Sequence, residues 1–116
     1  MGRLTTHVLD TANGCPAAQL KIELYRLDAA RTRLLEARTN ADGRLDQPLL
    51  EGDDLQPGEY ELVFYANDYF TARSTPVDDP PFINQVVIRF GIAHSNQHYH
   101  VPLLVSPWSY STYRGS

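Results

Sequence analysis

Apolar residues recur at every second position in short runs separated by turn-forming residues, and this restricts the chain to a layered, largely antiparallel β architecture. Leu20, Ile22 and Leu24 alternate with Lys21, Glu23 and Tyr25, and Tyr60, Leu62 and Phe64 alternate with Glu61 and Val63. Val86, Ile88, Phe90 and Ile92 share a face opposite Arg89. Successive side chains on a strand leave opposite faces, so each run is expected to bury one set and turn the other outward. Four less regular runs, 4–10, 32–39, 98–104 and 109–114, are rich in Thr, Val, Leu or Tyr. Breakers such as Asn13-Gly14, Asp42-Gly43, Pro57-Gly58, Asp79-Pro80-Pro81 and Pro107 punctuate the chain, giving seven or eight strands. Residues 67–73 open with Asn67 and Asp68, both able to cap, and predict one short helix. Pro102 has no amide to donate, so its strand is predicted to be an edge or to bulge there.

At 116 residues the chain fits one domain, 1–116, in the all-β class. With 42% hydrophobic and 21% charged residues it has an ordinary globular composition. A net charge of -4 with scattered Lys and Arg argues against nucleic acid as a partner. The single cysteine, Cys15, has no partner for an internal disulfide and no redox or zinc-type spacing. No apolar run approaches the roughly 18 residues of a membrane span. No basic and apolar leader is visible at the amino end, so the expectation is a cytoplasmic chain, unless a leader was removed, with no membrane partner.

Four sites carry residues suited to chemistry. His7 shares a strand face with Thr5 and Leu9, opposite Leu4, Thr6 and Val8; alone it reads as a structural or surface histidine ahead of a functional one. His98 and His100 are two residues apart, so on a strand both rings leave one face. Such a pair can be structural, ligate a metal with His7 as third ligand, or transfer protons; no acidic or cysteine ligand follows at a recognisable spacing, which disfavours metal. Arg44 sits just beyond the Asp42-Gly43 turn; taken alone it reads first as an ordinary solvated arginine, although its planar fork of donors would match the coplanar carbonyl and nitrogen edges of an oxopurine. The carboxyl end, Ser106 to Ser116, stays aromatic and hydroxyl-rich where most chains fray, which predicts a docked terminus.

Three segments carry a resemblance: Leu4-Thr5-Thr6-His7-Val8-Leu9-Asp10, the Asp42-Gly43-Arg44 turn, and His98-Tyr99-His100-Val101-Pro102-Leu103-Leu104 followed by terminal Tyr113-Arg114-Gly115-Ser116. Together, and in this order, they resemble the transthyretin-like 5-hydroxyisourate hydrolase family along the whole chain. The terminal tetrapeptide discriminates most, because it separates these hydrolases from the hormone-binding transthyretins of the same fold.

The resemblance implies a transthyretin-like (prealbumin-type) β-sandwich of two four-stranded sheets with one short helix, assembled as a homotetramer with sites at the dimer-dimer interface. It implies that His7, Arg44 and His100 are catalytic and that Tyr113, Arg114, Gly115 and Ser116 contact substrate, with His98 adjacent. It also implies hydrolysis of 5-hydroxyisourate in urate degradation without cofactor or metal. The competing expectation is a non-enzymatic transthyretin-type small-molecule binding protein, which calls for an apolar channel; a zinc hydrolase using the three histidines is a further rival.

Overall fold

The computed structural model describes residues 1–116. In chain order its elements are Arg3–Asp10 (β1), Cys15–Pro16 (β2), Lys21–Leu27 (β3), Arg31–Arg38 (β4), Leu50–Glu51 (β5), Gly58–Phe64 (β6), the helix Ala66–Ala72 (α1), Val86–Ile92 (β7), Tyr99–Val105 (β8) and Tyr110–Thr112 (β9). One sheet has the order β4-β3-β6-β7 and is antiparallel throughout. The other follows β2-β1-β8-β9, with the two-residue β5 added to the same edge of β1 as β2. The result is an all-β sandwich of two four-stranded sheets and one short helix, as the alternation predicts, with β5 as a small addition.

The inner faces are the alternating apolar sets. Leu4 and Val8 from β1 and Leu103 and Val105 from β8 are fully buried, as are Ile22, Leu24, Tyr60, Leu62 and Phe64 from the opposing sheet. They belong to one cluster of 21 buried residues. Each such side chain contributes about 1.5–3 kcal/mol by leaving water, so the sandwich is held chiefly by this seam.

The functional end depends on β1 and β8, which pair in parallel although they come from opposite ends of the chain. Thr5 lies beside His100 and His7 beside Pro102 in that register. Odd positions of β1 and even positions of β8 therefore share the outer face of this sheet, while Leu4, Thr6, Val8, Tyr99, Val101 and Leu103 point inward.

Three expectations need correction. Pro102 is neither on an edge strand nor at a bulge, since β8 lies between β1 and β9. The missing donor is accommodated because the β9 ladder covers only Leu103 to Val105 and resumes at His100–Gly115, while the Thr112 hydroxyl donates to the Pro102 carbonyl at 2.7 Å. The helix begins at Ala66 without a side-chain cap, Tyr65 occupying the cap position, so Asn67 and Asp68 fall in its first turn. Helix α1 is tied down instead by Tyr69, whose hydroxyl donates to Asp10 Oδ2 at 2.8 Å. Glu61, predicted to face outward, does so and is nevertheless buried, because Arg31 and Arg89 close over it at 2.7 and 2.8 Å.

Candidate active site

A short turn places Arg44 against β1. The Asn40 side-chain oxygen accepts from the amides of Asp42 and Arg44 at 2.9 and 3.1 Å, and the Asn40 amide donates to the Arg44 carbonyl at 2.7 Å. Gly43 has φ +77, and a Cβ there would stand 2.3 Å from the Val8 carbonyl oxygen, so only glycine lets the turn approach β1 this closely. The Val8 amide donates to the Gly43 carbonyl at 2.8 Å, and an isolated bridge pairs His7 with Arg44. His7 Nε2 then reaches the Asp42 carbonyl at 2.9 Å.

The carboxyl end is docked on the other side of His100. The Gly115 amide donates to the His100 carbonyl at 2.7 Å and the His100 amide to the Gly115 carbonyl at 3.2 Å. A Cβ on Gly115 would lie 3.0 Å from His100 Cβ, so the absence of a side chain there admits the imidazole. On the ring's far edge, Nδ1 meets the Thr5 hydroxyl at 2.8 Å.

These groups border an open cleft of about 480 Å³ lined by Arg3, Thr5, Thr6, Arg44, Leu45, Asp46, Gln47, Pro48, His98, His100 and Ser116. Its wall is polar, with Arg44 exposed and outside every intramolecular ion pair. Burial holds the His100 imidazole below the ordinary histidine range, and the charges of Arg44 and His7 push the same way. The neutral ring is thus favoured at neutral pH. No three or more His, Cys, Asp or Glu side chains converge at a metal-ligand spacing. A polar hollow with an unpaired guanidinium and a neutral imidazole can hold a planar heterocycle and stabilise negative charge that develops on it.

The structure brings the expected site residues together unevenly. Arg44, His98, His100 and Ser116 share the cleft, and His7 stands beside it, close enough for its charge to bear on His100. Gly115 pairs with His100. Tyr113 and Arg114, expected at the same site, instead line a second, more apolar cleft with Ile88, Phe90, Tyr99 and Val101 at the open edge between the sheets. With Gly115 turned to His100, alternation sends Arg114 to the opposite face, where it lies 4.4 Å from the Tyr99 ring and donates to the His98 carbonyl at 3.2 Å. Sequence reasoning missed Thr5 as a site residue, although its shared face with His7 was a usable signal. Asp46 and Gln47 gave none, since nothing marks a loop residue two or three places beyond a turn.

The HIUase/Transthyretin family matches residues 4–115. The chain belongs to this family. It is 60% identical over 117 residues to the 5-hydroxyisourate hydrolase of Pseudomonas aeruginosa, covering 100% of this chain and 93% of that protein. Among solved structures it is similar to the Klebsiella pneumoniae 5-hydroxyisourate hydrolase, at TM-score 0.83 and 31% identity with all of both chains covered. It also superposes on sea bream transthyretin in complex with thyroxine, at TM-score 0.86 and 26% identity over 97% of this chain and 94% of that one. The transthyretin-like fold is thus shared with both a 5-hydroxyisourate hydrolase and a thyroxine-bound transthyretin, and the side chains of the cleft must discriminate between them.

Proposed function

We propose that this chain is a 5-hydroxyisourate hydrolase of urate degradation that opens a cyclic amide to give 2-oxo-4-hydroxy-4-carboxy-5-ureidoimidazoline, with no metal or other cofactor. What supports the activity is the full-length similarity to hydrolases of that name. The observation that carries the mechanism is the neutral His100 imidazole beside an unpaired Arg44 in a polar cleft. A hormone-binding protein of the transthyretin type would call for an apolar lining at this position, and only Leu45 and Pro48 soften this one.

The chemistry follows from what amide hydrolysis requires. Water adds its oxygen to the ring carbonyl carbon while a base, His7 or His100, takes one of its protons. Arg44 holds the carbonyl edge and offsets the charge that collects on the oxygen in the tetrahedral intermediate. When the carbon-nitrogen bond breaks, the ring nitrogen receives the proton and a carboxylate remains. His98 and the Ser116 carboxylate line the cleft and position substrate or water. Gly115 seats the His100 ring, and Tyr113 and Arg114 anchor the tail and the His98 backbone around it.

The proposal extends to a homotetramer with sites where dimers meet. Its support is the pair of edge strands β7 and β9 together with exposed Val87, Trp108, Tyr110 and Tyr113 along or next to them. A variant that splits the tetramer is expected to lose activity while the sandwich stays folded, as chromatography beside an assay will show.

The direct test generates hydroxyisourate in place from urate and follows its absorbance. The protein accelerates decay far beyond the spontaneous baseline and does so equally in excess chelator. Decay at the spontaneous rate contradicts the hydrolytic reading, and loss of acceleration with chelator contradicts its metal-free form.

A further inference from the structure

Each of the two imidazoles has one ring nitrogen already engaged, and the two partners differ in kind. His7 Nε2 faces the Asp42 carbonyl oxygen at 2.9 Å. A carbonyl only accepts, so in the neutral ring Nε2 carries the proton and Nδ1 keeps its lone pair. His100 is engaged through its other nitrogen, Nδ1, 2.8 Å from Thr5 Oγ1.

A hydroxyl can donate or accept, but the surroundings decide between the two. The Thr5 hydroxyl is half-buried and has no other protein partner, whereas the next residue, Thr6, donates to the Val101 carbonyl at 2.7 Å. Among protein groups the hydroxyl proton finds an acceptor only at His100 Nδ1, at 2.8 Å. Gly115 meanwhile packs along the opposite ring edge, where a Cβ would lie 3.2 Å from Cδ2. With one edge held by Thr5 and the other by the docked tail, Nε2 is the nitrogen left for the cleft.

We propose that Thr5 is a positioning residue whose hydroxyl donates to His100 Nδ1, fixes that imidazole as the Nε2–H tautomer, and thereby makes His100 the hydrogen-bond donor to the reacting carbonyl. This rests on the hydrolytic reading above and divides its labour. His7, bare at Nδ1, takes the proton from water as the oxygen attacks carbon. His100 donates its Nε2–H hydrogen bond to the carbonyl oxygen as charge builds and keeps its proton. When the carbon-nitrogen bond breaks, the His7 imidazolium returns its proton to the leaving nitrogen, and the new carboxylic acid releases its own to solvent. Burial and the neighbouring cations keep His100 uncharged, which is the state in which a tautomer is defined.

The test compares full-length protein with Thr5→Val, which keeps shape and removes the hydroxyl, and Thr5→Ser, which keeps the hydroxyl. Nitrogen-15 NMR of the histidine rings reads the tautomer, and steady-state kinetics read kcat and KM separately. The wild type is expected to show His100 protonated at Nε2. Thr5→Val loses that preference and about tenfold in kcat, the worth of one positioned hydrogen bond, with KM changed less than about twofold. Thr5→Ser restores both. A wild-type ring protonated at Nδ1, or a Thr5→Val protein with unaltered tautomer and kcat, overturns the proposal. If the wild type does not hydrolyse hydroxyisourate at all, the functional reading fails, and the NMR spectra still decide the Thr5 contact.

Discussion

On the outer face of the β4-β3-β6-β7 sheet, two buried carboxylates lie under arginines from other strands of the sheet: Glu23 meets Arg33 at 3.0 Å, and Glu61 meets Arg31 at 2.7 Å and Arg89 at 2.8 Å. On the outer face of the other sheet, Arg44 meets no carboxylate and stands among imidazoles. The first face is electrostatically closed, since Tyr65 and Tyr25 hydroxyls at 2.6 and 3.1 Å complete the shell of Glu23. The second is open: Arg3, Arg44, Asp46 and the Ser116 carboxylate share its cleft, and the Arg44 guanidinium enters no ion pair. A folded chain that matches its charges this carefully on one side and leaves them unmatched on the other has its complement arriving from outside, as a ligand or a transition state. The same residue types thus stabilise the fold on one face and wait for a reactant on the other.

The sharpest way to break this contrast is to remove the imidazoles. His7→Ala or His100→Ala should each lower turnover by about 10² to 10⁴, and the double variant should fall to the spontaneous rate, with thermal melts little changed. Arg44→Ala should cost about 10² to 10³ in kcat, again without loss of stability, because no internal partner is orphaned. Glu61→Ala reverses the pattern. It should lower stability by about 1–3 kcal/mol in urea titration, the cost of breaking a buried hydrogen-bonded group, and leave kcat within about twofold of wild type.

Acid sharpens the contrast further. Burial pushes the Glu61 carboxyl up, but hydrogen bonds from Arg31 and Arg89 outweigh it and hold the group below the usual carboxylate value. The Tyr65 hydroxyl does the same for Glu23, against its burial and with help from Arg33. A lowered folded value contributes stability that is present above the unfolded carboxylate value and lost as pH falls through the folded one. Stability measured by urea titration is therefore expected to decline in that acidic window. Activity is expected to fall on the same descent as pH passes through the lowered His100 value, because a second proton at Nδ1 displaces the Thr5 hydroxyl and ends the neutral ring. The smallest effect belongs to the exposed pair of Arg26 and Asp28 at 3.0 Å, where Asp28→Asn should shift stability by no more than about 0.5 kcal/mol.

Much of the sandwich was legible because alternation is a local signal. The inward set Tyr60, Leu62 and Phe64 could be read directly from the sequence. Burial of Glu61 could not, since it depends on Arg31 and Arg89 from the two edge strands of its sheet. The parallel pairing of β1 with β8 is equally silent in any period, and it alone puts Thr5 beside His100. At the site, Arg44 was legible because Gly43 marks a turn that only glycine completes, and His100 because of its spacing from His98. The departure of Arg114 to the second cleft was not, because it turns on the Gly115 bridge, a contact made across the sheet.

The most direct test of the open face is to locate the ligand. In chemical-shift mapping of nitrogen-15-labelled protein titrated with urate, a stable oxopurine close in shape to the substrate, the largest changes are expected at Thr5, Arg44, His98, His100 and Ser116. Changes gathered instead at Ile88, Phe90, Val101 and Tyr113 would place binding in the apolar cleft between the sheets and contradict the account.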